Sequence, residues 1–168
     1  MSSSEPGLAD RFKHVFRDHP LAVTIITAIT PEGPVGLTAS SVSSVAVDPP
    51  AVSFSVTRAT GTAGALLRAD NLQIHFVAPE HVATAGEFAR TGGERFVDGQ
   101  GWSFDADGRP HLAQARARLE GYIHDTITVG SSVLVVAEIT DAVVGDDAEP
   151  LLYANRRFHR FDAEATAL

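Results

Sequence analysis

The chain has 168 residues, of which 44% are hydrophobic, and its 13 basic and 21 acidic side chains give a formal net charge of −8 with histidine neutral. The sequence contains no block of Lys and Arg residues that could neutralise a row of phosphates. This acidic balance therefore argues against nucleic acid and anionic membranes as partners and favours small molecules or proteins. The lack of cysteine excludes disulfides, thiolate nucleophiles and cysteine-bound metal centres, so any redox chemistry requires a bound cofactor.

Predicted strands begin near the N-terminus. Residues 22–30 alternate between two faces, as in a half-buried strand, and a turn over residues 31–34 follows. A second extended run, rich in Val, Ser and Thr, covers residues 35–47 and ends at Asp48-Pro49-Pro50. Residues 51–56 supply a third strand. This spacing predicts a meander of neighbouring antiparallel strands.

The second half of the chain mixes short helices with longer strands. Thr60 can cap a short helix over residues 63–68, residues 72–77 are strand-like, and residues 79–90 carry apolar side chains at helical spacing. After a glycine-rich loop, strands are predicted over residues 115–129, 133–144 and 151–153. Because regular crossover helices do not separate the strands, a mainly β antiparallel barrel with peripheral helices is favoured over a doubly wound parallel sheet.

The domain organisation is predicted to be simple. No internal repeat, low-complexity tract or linker divides the chain, so we expect one domain over residues 12–161, a flexible N-terminus over 1–11 and a C-terminal tail over 162–168. The first residues lack a basic segment followed by an apolar run, and no stretch approaches the ~20 apolar residues of a membrane span. A cytoplasmic location is therefore expected.

Three features could bind an anion or a polyol. The segment from Gly36 to Ser44 clusters hydroxyls within apolar strand territory, although by pattern alone a solvent-facing polar strand is the favoured explanation. Thr60-Gly-Thr62 lies at a predicted helix start, where free N–H groups favour anions, or it is simply a cap. The cations Arg95, Arg156, Arg157 and Arg160 could pair with an anionic ligand or lie in solvent.

Several common active-site motifs are missing. The seven histidines are scattered and form no H-E-x-x-H pair, so no catalytic metal is predicted. The sequence also has no G-x-S-x-G elbow, no Walker-type phosphate loop and no Rossmann fingerprint. Hydrolase, nucleoside-triphosphatase and dedicated dinucleotide-domain functions therefore lack support.

Taken together, five segments in this order resemble the flavin reductase-like family, the FMN-binding split barrels that include the small reductase components of two-component flavin-dependent monooxygenases. The segments are Gly36-Leu-Thr-Ala-Ser-Ser41 with Ser44-Val45, Asp48-Pro-Pro50-Ala-Val-Ser-Phe-Ser55, Thr60-Gly-Thr62, Glu87-Phe88-Ala89 with Glu94-Arg-Phe96, and Pro150-Leu-Leu-Tyr153. The resemblance implies a six-stranded antiparallel split barrel, a homodimer, and flavin in a groove near the subunit interface.

The resemblance also assigns site residues. The family's flavin-contacting positions fall on Thr38, Ala39, Ser40, Ser41, Ser55, Thr60 and Thr62, with Arg95 near the site. On the nicotinamide side this chain departs from the family pattern. A Gly-Asp-His triplet is replaced by Gly130-Ser131-Ser132, and a His and a Tyr that often follow Tyr153 are replaced by Ala154 and Phe158. Ser132, Ala154 and Phe158 are therefore the nicotinamide-side candidates, and weaker or altered NAD(P)H use is expected.

The leading hypothesis is an NAD(P)H:flavin oxidoreductase that reduces FMN or FAD and releases the reduced flavin to a separate flavin-dependent oxygenase. Two alternatives stay open. One is a split-barrel flavoprotein that acts as an oxidase or monooxygenase on an organic substrate, and the other is a flavin-binding barrel without catalysis. The sequence does not decide between FMN and FAD, because they share the ring and the ribityl phosphate that the matching segments contact. It does not decide between NADH and NADPH either, because it has neither a Rossmann acidic residue nor a 2′-phosphate clamp.

Overall fold

The computed structural model describes residues 6–164. Three helices are present, α1 (Leu8–Arg17), α2 (Gly61–Leu67) and α3 (Val82–Ala89), with a 3₁₀ turn over Pro79–His81 directly before α3. Twelve strands lie in the described range: β1 (Leu21–Ala22), β2 (Thr24–Thr30), β3 (Gly33–Ala39), β4 (Ser43–Val47), β5 (Pro50–Thr57), β6 (Leu72–Phe76), β7 (Trp102–Phe104), β8 (Pro110–Leu112), β9 (Ala117–Val129), β10 (Ser132–Val144), β11 (Leu151–Ala154) and β12 (Arg157–Arg160). No described helix is both long enough and apolar enough to cross a membrane.

Seven strands form the main sheet, in the order β3-β2-β6-β9-β10-β5-β4. All of its neighbours pair antiparallel. The chain passes from β3, at one edge of this sheet, to β4, at the other edge, through residues 40–42 alone. Because a few residues span only about 3.5 Å each, the two edges must lie close together. The sheet is therefore rolled into a barrel that is split between β3 and β4.

The predicted class, mainly β with peripheral helices and antiparallel pairing, is confirmed, but the count of six strands is wrong because the main sheet has seven. The run predicted over residues 35–47 is not one strand, since it divides at residues 40–42 into β3 and β4. The predicted meander is also wrong at this point, because β3 and β4 occupy opposite edges instead of pairing. The alternation of residue types continues across the division and does not reveal it.

The long hairpin β9–β10 supplies the curvature of the barrel. Its register shifts twice, between Val136 and Ala137 and between Ile139 and Asp141. Such bulges bend and twist a strand pair. At the bend, a Cβ on Gly121 would lie 2.0 Å from the Glu138 carbonyl oxygen, so only glycine fits there.

Helix α3 packs across β3, and a glycine permits the close approach. A Cβ on Gly36 would lie 2.7 Å from the ring of Phe88, which is 1% exposed. The Thr38 hydroxyl donates a hydrogen bond to the Ala85 carbonyl at 2.6 Å. Together these contacts fix α3 against the strand that forms one edge of the split.

A buried polar layer lies between β2 and β6. The Thr27 hydroxyl contacts Gln73 Oε1 at 3.4 Å and His75 Nε2 at 3.2 Å. Because a hydroxyl has one proton, a Thr27 that donates to Gln73 must accept from His75, which places the histidine proton on Nε2. His75 Nδ1 then has no partner among the described residues. Burial, followed by the nearby charge of Arg118, lowers the pKa of His75 to about 3, so the ring is neutral.

Helix α1 has no buried residue, although it is amphipathic. Leu8, Phe12, Val15 and Phe16 are all more than half exposed. The helix is tied to the barrel where the Asn155 N–H, in the turn between β11 and β12, donates to the Arg17 carbonyl at 2.6 Å. The sequence analysis does not predict α1, which begins four residues before the expected domain start at residue 12. The expected flexible N-terminus and C-terminal tail fall partly on residues 1–5 and 165–168, outside the described residues.

Candidate functional site

A groove runs along the split of the barrel. Two cavities, of about 410 and 500 Å³, share five lining residues and so form one continuous depression; these residues are Leu37, Thr57, Ala63, Phe88 and Ala89. The smaller cavity lies over β3 and β5, and the larger extends past the start of α2 to the loop after α3. This groove brings together all eight residues that the resemblance assigns to the flavin site.

Ser41 bridges the split at the base of the groove. Its Oγ accepts a hydrogen bond from the Ser55 N–H at 2.9 Å and donates to the Ser55 carbonyl at 3.3 Å. The pairing of β4 with β5 begins only at Ser43 and Ser53. The Ser41 hydroxyl therefore supplies the partner that Ser55 lacks on that side of β5. This arrangement gives Ser41 a structural role that the sequence analysis does not predict.

Removal of this hydroxyl should loosen the split. We expect Ser41→Ala to lower the free energy of unfolding by about 1–2 kcal/mol, because two hydrogen bonds to the Ser55 backbone are lost. Urea denaturation measures the change. Ser44→Ala is the matched control, since the described contacts give the exposed Ser44 hydroxyl no hydrogen bond. Equal denaturation midpoints for the two variants would contradict the bridging role.

The remaining hydroxyls of the groove are free to bind a ligand. Within residues 6–164 the side chains of Ser40, Ser55, Thr60 and Thr62 form no hydrogen bond, and Thr60 does not cap α2 although it occupies the N-cap position. The Thr38 hydroxyl, in contrast, is already bonded to α3. Ala39 is 6% exposed and has no polar side chain, so it can offer a ligand only its backbone and its methyl group.

Three arginines line the far end of the groove: Arg58, Arg90 and Arg95. Arg58 has a φ of 58°, a left-handed conformation that costs energy for a side chain without a local hydrogen-bonding group. Among the described residues it forms no ion pair. Arg90 pairs with Glu87 at 2.5 Å and is less available. The sequence analysis misses both Arg58 and Arg90, and the closeness of Arg58 to Thr60 is the signal that could have indicated it.

Arg95 acts mainly as an anchor for the end of α3. Its guanidinium donates to the carbonyls of Arg90, Gly93 and Phe88 at 2.8, 3.2 and 3.4 Å. It also lies over the Phe88 ring, 5.7 Å from the ring centre. Its Nε is buried and has no partner in the described part of the chain. Arg95 thus lines the groove, and one donor remains for a ligand.

These residues fit a flavin nucleotide. Leu37, Ala63 and Phe88 offer an apolar surface to a planar ring, free hydroxyls can hold a ribityl chain, and Arg58 can hold a phosphate. The orphaned Nε of Arg95 at the same end supports an anionic group there. Among the described residues that line the groove, none carries a carboxylate that would repel this anionic group.

The nicotinamide-side candidates lie in two places. Phe158 lines a cavity of about 350 Å³ that shares Thr38, Ser40 and Ala89 with the groove. Ala154 lines a further cavity of about 480 Å³ beside α1. Ser132 is instead on β10, paired with Thr57, so the structure does not bring it to the cavity of Phe158 within one subunit.

The position of Ser132 is next to the rim of the groove. Residues directly opposite in antiparallel strands share a face of the sheet, so Ser132 lies on the same face as Thr57 on β5 and Val129 on β9. Thr57 lines both cavities of the groove. Ser132 is therefore one strand away from the site.

Comparisons with known proteins agree with this geometry. A family model described as Flavin reductase like domain matches residues 16–162. The NADH:FMN oxidoreductase of Rhodococcus qingshengii is 33% identical over 156 residues, which cover 90% of this chain and 81% of that protein. The 4-nitrophenol 4-monooxygenase/4-nitrocatechol 2-monooxygenase reductase component of Rhodococcus opacus is 31% identical over 150 residues, 89% of this chain and 80% of that protein. Among solved structures, the NADH:FAD oxidoreductase SgcE6 of Streptomyces globisporus C-1027, in complex with NAD and FAD fragments, has a TM-score of 0.85 at 27% identity and covers 99% of this chain and 100% of that chain.

Proposed function

The chain belongs to the flavin reductase-like family, and from this premise we propose that it is an NAD(P)H:flavin oxidoreductase that reduces FMN or FAD and supplies the reduced flavin to a partner monooxygenase. The observation that carries the proposal is the groove along the split, whose apolar floor, free hydroxyls and arginine end match the three parts of a flavin nucleotide. A cytoplasmic location, where nicotinamide nucleotides are available, goes with this function.

In the proposed site each part of the groove has its own role. Ser40, Ser55 and the backbone around Ala39 hold the flavin ring and ribityl chain, and Ser41 keeps that wall closed through its bonds to Ser55. Thr60 and Thr62 lie at the phosphate end. Arg58 balances the phosphate charge, while Arg95 holds the loop after α3 in place and directs its free Nε to the same end.

The protein need only orient the two reactants. A flavin held in the groove would supply the hydride acceptor and the nicotinamide nucleotide the hydride, so the transfer chemistry would come from the two cofactors themselves. The cavity at Phe158 opens onto the groove and gives the nicotinamide ring a place to approach. Phe158 and Tyr153, whose ring centres are 5.3 Å apart, form an aromatic wall of that cavity. No residue is required to carry a proton in the transfer.

A homodimer is part of the proposal. Leu134 and Ile127 lie directly opposite each other on β10 and β9, and Leu134 also faces Ser55 of the groove. Both apolar side chains are exposed, at 38% and 54%. An exposed apolar patch next to a binding groove is typical of an interface, and a second copy would cover it. Sedimentation equilibrium tests this assembly, and a monomer at micromolar concentration would contradict it.

The reductase function is tested by anaerobic mixing of the purified protein with FMN or FAD and then with NADH or NADPH. We expect nicotinamide absorbance to fall and the flavin to bleach, at a rate well above that of the same mixture without protein. The protein should also release flavin on gel filtration, because a reductase that supplies a partner must let its product go. Flavin binding without bleaching by either donor would refute the proposal.

The aromatic wall at Phe158 favours one second candidate. A pocket formed by aromatic rings instead of a His and a Tyr would suit an organic substrate that a retained flavin oxidises directly. Flavin that stays bound through gel filtration and is not reduced by NADH or NADPH would support this candidate in place of the reductase.

A further inference from the structure

A basic trough lies between α1 and the turn that joins β11 to β12. It is the 480 Å³ cavity beside Ala154, and it shares Ser40, Tyr153 and Arg156 with the cavity at Phe158. Since the cavity at Phe158 opens onto the flavin groove, the trough is the outer continuation of the path along which a second reactant would approach the flavin ring.

The trough has a charge opposite to that of the chain as a whole. Lys13, Arg17 and Arg156 line it, against the single carboxylate of Asp10, whereas the formal net charge of the chain is −8. Within residues 6–164 these three cations form no ion pair with any acidic side chain. Three unpaired cations outweigh the one carboxylate, so the trough attracts an anion although the protein as a whole is acidic.

The backbone holds Arg156 in an unusual conformation. Asn155 and Arg156 form the two-residue connection between β11 and β12, with φ values of 51° and 61°. Such tight connections favour Asn followed by Gly, because both central residues need a positive φ. The positive φ of an arginine in the glycine position costs conformational energy. The side chain of Arg156 lines both the trough and the cavity at Phe158.

The trough also offers rings on which a base can stack. Phe12 and Phe16 are 4.9 Å apart on α1, and Phe16 is 6.1 Å from His19. All three line the trough, and Tyr153 lines its inner end. Exposed aromatic rings beside unpaired cations suit a ligand that carries both a heteroaromatic base and phosphates.

We propose that this trough binds the adenosine-phosphate half of the nicotinamide nucleotide, with Arg17 and Arg156 in contact with the phosphate on the adenosine side. The inference rests on the proposed function, because that function places the flavin phosphate at Arg58, at the opposite end of the groove. The adenosine half of FAD would continue from that phosphate and away from the trough. The nicotinamide nucleotide enters from the α1 side, and its nicotinamide ring lies beside Phe158.

The test compares the unchanged protein with a double variant that combines Arg17→Gln and Arg156→Asn. Asn is chosen because it tolerates the positive φ of residue 156. We expect the KM for NADH or NADPH to rise about tenfold with kcat within about twofold, because charge-assisted bonds to the phosphate on the adenosine side are lost. The KM for reduced nicotinamide mononucleotide, which lacks the adenosine half, should not change. Arg156→Lys should restore most of the affinity when Arg17 is intact.

A binding measurement separates this inference from the reductase function. ADP-ribose, which has the adenosine diphosphate but no nicotinamide, should bind the unchanged protein in calorimetry and bind the double variant about tenfold more weakly. Arg157→Ala is the matched control, because Arg157 is exposed on the same hairpin and lines neither cavity. Its ADP-ribose affinity should equal that of the unchanged protein.

Two results would overturn the inference. One is equal ADP-ribose affinity for the double variant and the unchanged protein while NADH oxidation proceeds normally, which would leave the reductase function standing. The other is a loss of FAD affinity, but not of FMN affinity, in the double variant, which would show that the trough takes the flavin adenylate. ADP-ribose binding that needs Arg17 and Arg156 in a protein that does not oxidise NADH or NADPH would refute the function and leave the trough supported.

Discussion

Acidification from pH 7 to pH 4 should lower the free energy of unfolding by about 3 kcal/mol through His75 alone. The histidine is fully buried in the folded protein, where its pKa is about 3, whereas an unfolded chain has the ordinary histidine value of 6.5. Between these two values the unfolded state binds a proton that the folded state does not. Stability is therefore highest above pH 6.5 and falls progressively as the pH drops toward 3.

Urea denaturation at pH 7, 5.5 and 4 measures this effect, with His75→Gln as the variant. Glutamine keeps an N–H donor for Thr27 but has no proton to gain, so the pH dependence should flatten by about 1.4 kcal/mol per pH unit relative to the unchanged protein. His124→Gln serves as the control because the His124 side chain is 61% exposed. A His75→Gln protein whose stability falls with acid as steeply as the unchanged protein would contradict a neutral His75.

The second large effect concerns Arg58 and the flavin phosphate. We expect Arg58→Asn to weaken FMN binding between about tenfold and a hundredfold, because a hydrogen bond to a charged group contributes about 1.5–3 kcal/mol. Asparagine is the chosen replacement since it adopts the positive φ of this position more readily than most residues. Quenching of flavin fluorescence during titration gives the dissociation constants.

Riboflavin makes the Arg58 test specific, because it lacks the phosphate. Its affinity should stay within about twofold in Arg58→Asn, since the ring and the ribityl contacts are untouched. Arg68→Asn is the control: Arg68 follows the other end of α2 and lines a separate cavity near Asn71. If FMN and riboflavin lose affinity equally, Arg58 shapes the groove instead of holding the phosphate.

The pattern of residue types predicts where the strands of this fold lie in the sequence, but it predicts less well how the strands are arranged in the sheet. Long runs such as β9 and β10 follow from their composition, and so does the antiparallel class. The break at residues 40–42 has no such signal, because serine is compatible with both a strand and a crossing between sheet edges. The small hairpin β7–β8 is hidden in a glycine-rich segment, since three-residue strands depend on packing more than on propensity.

The sequence likewise predicts the candidate site only in part. Hydroxyls at residues 38, 40, 41, 60 and 62 are visible in the sequence, but the structure alone shows that those of Thr38 and Ser41 are bonded to the protein. A cation in a loop carries no periodic pattern, so only its closeness to Thr60 in the sequence could have indicated Arg58. Helix α1 is different, because its amphipathic pattern is present in the sequence and could have been predicted, although none of its residues is buried in the structure.

The three-residue crossing between β3 and β4 and the α1 side of the site should differ in how well they tolerate substitution during protein engineering. Residues 40–42 connect the sheet edges, and two of them, Ser40 and Ser41, also line the groove, so a substitution at either position changes ligand contacts and barrel closure at once. The α1 side has no comparable duty, because its side chains are exposed and its attachment uses backbone atoms. Directed evolution toward a different hydride donor should therefore accept mutations in α1 and the β11–β12 turn far more often than in the crossing.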